Sequence, residues 1–170
     1  RVKIHYWSYN SFLMNIFQKI HDCCIKNNVS ISTAESCTAG LFSSNISAIP
    51  GASSFFLGGI IAYQDDVKIN LLGVMQSIIK EETEVCAEVV EQMAKGVRGK
   101  FLADFSIATS GYAGPTGGTE LNPIGTIFIA ISSNKRTVSK RFVFSGDRQS
   151  IVSQSVIKAA DFLLKELKNK

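Results

Sequence analysis

Thr33-Ala-Glu-Ser-Cys-Thr-Ala-Gly40 joins an apolar run to a stretch of helical character, and its reading decides the fold. Val29 to Ala34 has the composition of a buried strand, and Leu41 to Ile49 that of a short helix. Between them Ser36, Cys37 and Thr38 crowd a sharp turn that ends in Gly40. A strand-turn-helix unit of this kind sets a hydroxyl, a thiol and backbone N–H groups without intrahelical partners at the positive end of a helix, where an anion or a developing oxyanion is stabilised. Ser36 and Thr38 equally suit simple helix capping, because Ser and Thr are preferred there. Taken alone, the segment leaves both readings open.

Working outward, Phe12, Leu13, Ile16, Phe17, Ile20 and Cys24 recur at helical spacing and predict a first amphipathic helix over Ser11–Lys26. Pro50-Gly51 is a turn signal that stops the helix after Gly40. Phe55 to Tyr63 is a nearly continuous apolar run interrupted by Gly58 and Gly59, which predicts a buried strand closely approached by another backbone. Asp65-Asp66 opens a short helix through Leu72, with acids where the dipole favours them and Gly73 closing it. A longer helix is predicted over Lys80–Phe101 from Val85, Val89, Met93 and Val97. Phe105–Ala108 is a strand leading into Gly111-Tyr-Ala-Gly-Pro-Thr-Gly-Gly118. Thr126–Ile131 and Val138–Phe144, joined by Ser133-Asn134-Lys135, read as an antiparallel hairpin. A last helix is predicted over Gln149–Lys168.

Strands alternating with helices predict a three-layer α/β/α sandwich with a mainly parallel mixed sheet containing one antiparallel strand. Residues 1–170 read as one domain, with 1–10 as a peripheral N-terminal extension, since the length suffices for a core without staples. Ligands of such sheets bind at the carboxyl ends of strands. The turn at Ser36, the segment after Tyr63, the Gly-rich loop and the Ser145-Gly-Asp-Arg148 turn all follow strands, which favours a site over a mere cap.

Composition narrows the classes of function. Apolar residues make up 45% and charged residues 19%, as in soluble globular proteins. No run approaches the roughly 20 apolar residues of a membrane span, and the first residues lack a signal-peptide pattern, although they do not begin with Met. The net charge of +4 is uneven, with basic ends and an acidic excess over residues 30–134, where the motifs lie. A basic stripe with interleaved aromatics is missing, which argues against nucleic acid as a partner. Cys23, Cys24, Cys37 and Cys86 form no C-x-x-C pair, so reduced thiols in a cytoplasmic protein are expected. His5 and His21 are isolated and no metal-ligand spacing occurs, so neither metal nor cofactor is expected.

Metal-independent amide or ester cleavage needs a nucleophile, a base and an oxyanion stabiliser. Without a suitable histidine the base falls to Lys, Tyr or a carboxylate. Tyr63 ends its strand and Lys68 lies near the start of the next helix, so both can reach one crevice. A lysine serves as base only where its surroundings favour the neutral amine, and Asp65 and Asp66 oppose that. From spacing alone, Lys68 also fits a solvated helix face. The Gly111–Gly118 loop can aim N–H groups at an anion, or be a plain tight loop; it lacks the Lys and the following helix of a P-loop. Arg148 begins the last helix, where a cation opposes the dipole, so a stability role is disfavoured; a guanidinium there suits a bound phosphate or carboxylate, and adjacent Asp147 could equally be its partner.

Together these segments resemble the CinA C-terminal domain family. The resemblance runs from about Ser11 to the C-terminus. It rests on Thr33 to Gly40, Phe56-Leu-Gly-Gly-Ile-Ile-Ala-Tyr63 with Lys68, and Leu71-Leu-Gly-Val74. Gly111 to Gly118, Pro123-Ile-Gly-Thr126 and Phe144-Ser-Gly-Asp-Arg148 extend it. It implies a three-layer α/β/α fold and, from the characterised members, a cytoplasmic nicotinamide-nucleotide amidase of pyridine nucleotide salvage. Such an enzyme turns nicotinamide mononucleotide into nicotinate mononucleotide and ammonia. The family's Ser, Tyr and Lys fall on Ser36, Tyr63 and Lys68, and its phosphate-binding Arg on Arg148. Cys37, Thr38, Gly40, Gly111, Gly114, Gly117 and Gly118 would complete the substrate site. The expected partner is a small-molecule nucleotide; a homo-oligomer is compatible with the resemblance, though the chain does not specify one. Ala39 stands where the family usually has Gly, Gln64-Asp-Asp-Val replaces Ser-Asn-Glu-Ala, and Met75 to Glu84 loses the usual Gly-Ala-Val-Ser. Two alternatives stay open: a Cys37 nucleophile helped by Glu35 and Lys68, and a nucleotide-binding module without catalysis.

Overall fold

A computed structural model of the chain describes residues 3–169, with side chains from Met14 onward, so Phe12, Leu13 and His5 have no described side-chain contacts. The chain runs α1 (Lys3–Asn27), β1 (Ile31–Glu35), α2 (Leu41–Ser47), a 3-10 turn (Ala52–Ser54), β2 (Phe56–Ile61) and α3 (Asp65–Leu72). It continues with α4 (Gln76–Glu81), α5 (Ala87–Phe101), β3 (Phe105–Gly111), β4 (Thr126–Ser133), β5 (Thr137–Val143) and α6 (Arg148–Lys168). The strands form one sheet in the order β2-β1-β3-β4-β5. β1 pairs in parallel with β2 and β3, whereas β4 is antiparallel to both β3 and β5. Four strands therefore point one way and β4 alone opposes them, as the pattern predicts.

Alternation along the strands builds two cores. Ile31, Phe105, Ile107, Ile127, Ile129 and Ile131 face α1, α2 and α6. Ala34, Ala108, Phe128 and Ala130 face the other way, toward Leu72 of α3 and Val89, Met93 and Val97 of α5. A strand can feed both layers because its side chains alternate with period two. Small residues on the α5 side let that helix sit close to the sheet. The hydroxyl of Ser106 donates to the Ala94 carbonyl at 2.6 Å.

Three boundaries differ from the sequence reading. α1 begins at Lys3, not at Ser11. The run Phe55–Tyr63 is an edge strand instead of a buried one: Leu57 and Ile61 are exposed. Gly58 admits a side chain, since a Cβ there would lie 2.8 Å from the Phe101 ring, whereas Gly59 lies against the neighbouring β1, where a Cβ would run into the Thr33 hydroxyl and come within 3.1 Å of the Thr33 carbonyl oxygen. The helix expected over Lys80–Phe101 is broken. Lys80 and Glu81 end α4, and α5 starts only at Ala87. Thr83 sits at φ 151°, and its hydroxyl engages both the N–H and the carbonyl of Val85 at 3.2 Å. A Thr side chain that bonds nearby backbone competes with the helical ladder, which is why the regular spacing of valines failed to predict the break. Asp65–Leu72 forms the expected helix, closed by Gly73 in the left-handed region at φ 72°.

Candidate functional site

β1 lies at the switch point of the sheet. The chain leaves β1 over one face to reach β2 on one side, then crosses the other face to reach β3 on the opposite side. Loops at the carboxyl end of β1 therefore diverge and leave a crevice, the usual ligand position in open α/β sheets. A cleft of about 370 Å³ occupies that position, within the range of roughly 300–1,000 Å³ common for small-molecule sites. Ser36, Cys37, Tyr63, Lys68, Gly111, Gly114 and Arg148 all line it. The four strand-end segments thus meet at one edge. A larger hollow, about 700 Å³, lies at the other edge and includes Lys26, Lys135 and Lys168. Lys26 and Lys168 stand in the last turns of α1 and α6, where a cation offsets the helix dipole, so that hollow needs no ligand to explain its charge.

The helix end after Gly40 is not free to take an anion, because Glu35 occupies it. This buried carboxylate accepts from the N–H of Gly40 and Phe42 at 3.0 Å and of Ser43 at 2.8 Å. It also accepts from the hydroxyls of Ser43 at 2.6 Å and Thr38 at 2.7 Å. Thr38 in turn meets the Thr109 hydroxyl at 2.8 Å. In the turn itself, among the described residues, no oxygen accepts from the N–H of Cys37 or Thr38. The Gly40 N–H and the Thr38 hydroxyl therefore serve the cap, and neither residue is among those lining the cleft. Glu35→Gln should destabilise the protein by about 2–4 kcal/mol, since an amide would present a donor to donors in a buried network. Chemical denaturation measures it. An unfolding midpoint equal to the parent's would show that Glu35 is not a structural cap.

Ser36 is buried beside the cleft, and its hydroxyl has no hydrogen-bond partner among the described residues. Cys37 packs into the core facing α1, α2 and α6, yet it also borders the cleft. The strand ends at Glu35, so strand alternation does not set these two neighbours on opposite faces and both border the cleft. Burial pushes the Cys37 thiol up to about 12, which keeps it protonated and a weak nucleophile at neutral pH.

Lys68 is not on a solvated face. It is 1% exposed, and its ammonium donates to Asp65 at 2.7 Å. Tyr63 is half exposed and its hydroxyl accepts from Arg148 at 2.9 Å, with no bond to Ser36 or Lys68 among the described residues. Arg148 also donates to the Gly114 carbonyl at 2.8 Å. It thereby ties the end of β2, the Gly-rich loop and the start of α6 together, with guanidinium donors to spare. Asp147 is not its partner. That carboxylate caps α6 by accepting from the Ser150 N–H at 2.8 Å.

Gly117 and Gly118 are not among the residues lining the cleft. A Cβ on Gly117 would lie 3.3 Å from the Tyr112 ring, and one on Gly118 2.5 Å from the Ile124 nitrogen, so they fold the loop on itself. The lining also includes Glu84, Ser110, Tyr112 and Thr116, which the sequence reading did not single out. For Glu84 the available signal was Thr83-Glu-Val85, a local Thr turn hidden within an apparent helix.

A three-layer α/β/α domain with a polar cleft at the switch point, carrying a free serine hydroxyl and a buried lysine, has the architecture of a small-molecule-binding α/β protein. The family model of the CinA C-terminal domain matches residues 14–167, and the chain belongs to that family. It is 43% identical over 144 residues to a CinA-like protein of Fervidobacterium nodosum, covering 85% of this chain and 35% of that one. To a competence-damage inducible protein of Clostridium botulinum it is 40% identical over 159 residues, covering 94% and 39%. The chain thus spans little more than a third of the curated relatives it matches. A crystal structure of a competence or damage-inducible protein from Enterobacter asburiae superposes with a TM-score of 0.88 at 32% identity, covering 91% of this chain and 98% of that one. No described helix is long and apolar enough to cross a membrane.

Proposed function

We propose that the chain is an amidohydrolase that converts nicotinamide mononucleotide and water into nicotinate mononucleotide and ammonia by a serine mechanism. The observation that carries the reading is the juxtaposition of an unpartnered Ser36 hydroxyl and a buried Lys68 amine in one cleft at the strand ends. Ser36 Oγ attacks the carboxamide carbon, and Lys68 accepts its proton in the molecules whose amine has first released its own, with the Asp65 carboxylate beside it holding the ammonium that forms. The N–H of Cys37, which lines the cleft, receives the oxyanion. The proton passes to the departing nitrogen, ammonia leaves, and water hydrolyses the acyl-serine ester to regenerate Ser36. Arg148 and the start of the Gly111–Gly118 loop hold the 5′-phosphate, and Tyr63 orients the guanidinium. Binding energy from the phosphate then positions the distant amide. The alternative with Cys37 as nucleophile is disfavoured by the raised thiol and by the engagement of Glu35 in the α2 cap.

Purified protein incubated with nicotinamide mononucleotide should release ammonia and nicotinate mononucleotide in equal amounts; absence of both would end the reading. Arg148→Ala separates phosphate recognition from chemistry. A charge-assisted contact to phosphate corresponds to roughly a ten- to hundredfold loss in kcat/KM when it is removed. Nicotinamide riboside lacks the phosphate, so its already poor use should change much less. Equal losses on both substrates would make Arg148 only the structural tie seen between Tyr63 and Gly114.

A further inference from the structure

The charges around the cleft do not cancel in place. Lys68 and Asp65 neutralise each other at 2.7 Å. Arg148 is held by two neutral oxygens, the Tyr63 hydroxyl and the Gly114 carbonyl, and among the described residues no carboxylate pairs with it. Glu84 also lines the cleft, and among the described residues no cation lies within ion-pair distance of it. These two residues come from opposite layers. Arg148 starts α6, which packs on one face of the sheet, whereas Glu84 belongs to the α4–α5 connection on the other face. The cleft therefore has a positive wall and a negative wall.

Glu84 is also fixed in place. The backbone around it is set by the Thr83 turn, and the Ser110 hydroxyl donates to the Glu84 carbonyl at 2.9 Å. Its carboxylate is near enough to the Tyr112 phenol to help burial raise the phenol's pKa. An aromatic ring and a carboxylate are thus side by side on the negative wall. The Tyr112 hydroxyl also makes a hydrogen bond to that carboxylate. This partner is neutral, so it orients Glu84 without cancelling its charge, and among the described residues no cation does so.

We infer that Glu84 is a specificity residue that recognises a positively charged aromatic ring, so that the cleft selects a zwitterion carrying a phosphate at one end and a pyridinium at the other. The inference rests on the proposed nucleotide reading and deepens it, for it explains how the site would tell an oxidised, cationic nicotinamide ring from a neutral one. Glu84 makes electrostatic contact with the ring, Tyr112 supplies an aromatic face beside it, and neither takes part in proton transfer. An acidic product ring brings its own carboxylate toward Glu84, so the same residue favours release of the acid over the amide.

The test compares two ligands that differ chiefly in ring charge: nicotinamide mononucleotide and its reduced dihydronicotinamide form, which is neutral at the ring but keeps the carboxamide, ribose and phosphate. Dissociation constants are measured by titration in the Ser36→Ala background, with and without Glu84→Gln, and repeated with Glu84→Ala. Removal of a partly exposed charge contact should weaken the oxidised nucleotide roughly two- to fivefold, with little change for the reduced one. The ratio of the two constants cancels general damage to the fold. If the glutamine and alanine variants weaken both ligands equally, or neither, the role of Glu84 is overturned while the amidase reading stands. Ammonia release by the unaltered protein tests that reading separately. Oxidised nucleotide that binds with a Glu84-dependent ratio but is never hydrolysed supports the specificity role and rejects the amidase. Failure of both nucleotides to bind overturns the two together.

Discussion

Ser36→Ala is expected to lower ammonia release on the order of 10⁴–10⁶-fold, because loss of a nucleophile costs far more than loss of a helix cap. The fold should survive, since the Ser36 hydroxyl has no hydrogen-bond partner among the described residues to lose. Cys37→Ala should keep a substantial fraction of turnover and cost about 1 kcal/mol in stability from the small void left in the core. Alkylating reagents give an independent check. A thiol pushed up to about 12 by burial stays protonated throughout pH 7–9, and the protonated form reacts poorly. Native protein treated with iodoacetamide in that range should remain active. If Cys37→Ala is the dead variant and Ser36→Ala the active one, the serine mechanism is wrong.

Lys68→Met should reduce turnover by roughly a hundredfold to ten-thousandfold, the usual contribution of a general base, while nucleotide binding persists. Methionine has nearly the length of lysine and no charge, so it fills the buried channel. The Asp65 carboxylate left behind is 44% exposed and can be solvated. This asymmetry makes the experiment clean: the buried partner is removed and the wetter one remains, so no bare charge is stranded in the core. Turnover and binding must be read on the same preparation. Near-normal turnover would reduce Lys68 to the anchor of Asp65 and leave the base to be sought elsewhere in the cleft.

Membership of the family and the order of elements were legible because they depend on local patterns. Alternation of apolar residues, paired acids at the start of α3, Gly73 at its end and the polar hairpin turn each act over a few residues. The strand-end motifs share one edge by pattern alone, since a parallel sheet brings its carboxyl ends together. β2 was harder. A run of apolar residues with glycines looks the same whether it fills the middle of a sheet or, as here, its rim, and only the strand order decides.

The roles of individual polar groups followed a different logic. Ser36, Tyr63, Lys68 and Arg148 were each visible as candidates, and the sequence by itself determined that they would gather near one crevice. Only the tertiary structure decided what each is bonded to. Glu35 occupies the helix end that the motif offered to an anion, and among the described residues no oxygen accepts from the turn N–H groups of Cys37 and Thr38. Arg148 bridges Tyr63 and Gly114 instead of pairing with adjacent Asp147. Lys68 is buried although its helix is short and begins with two acids. Glu84 left a predicted helix for the wall of the cleft. The physical reason is common to all four: hydrogen bonds and ion pairs are short-ranged and directional, so their partners are set by which distant segments the folded chain brings within about 3 Å. Hydrophobic patterning needs no such partner, because burial is non-directional and any suitable face will serve.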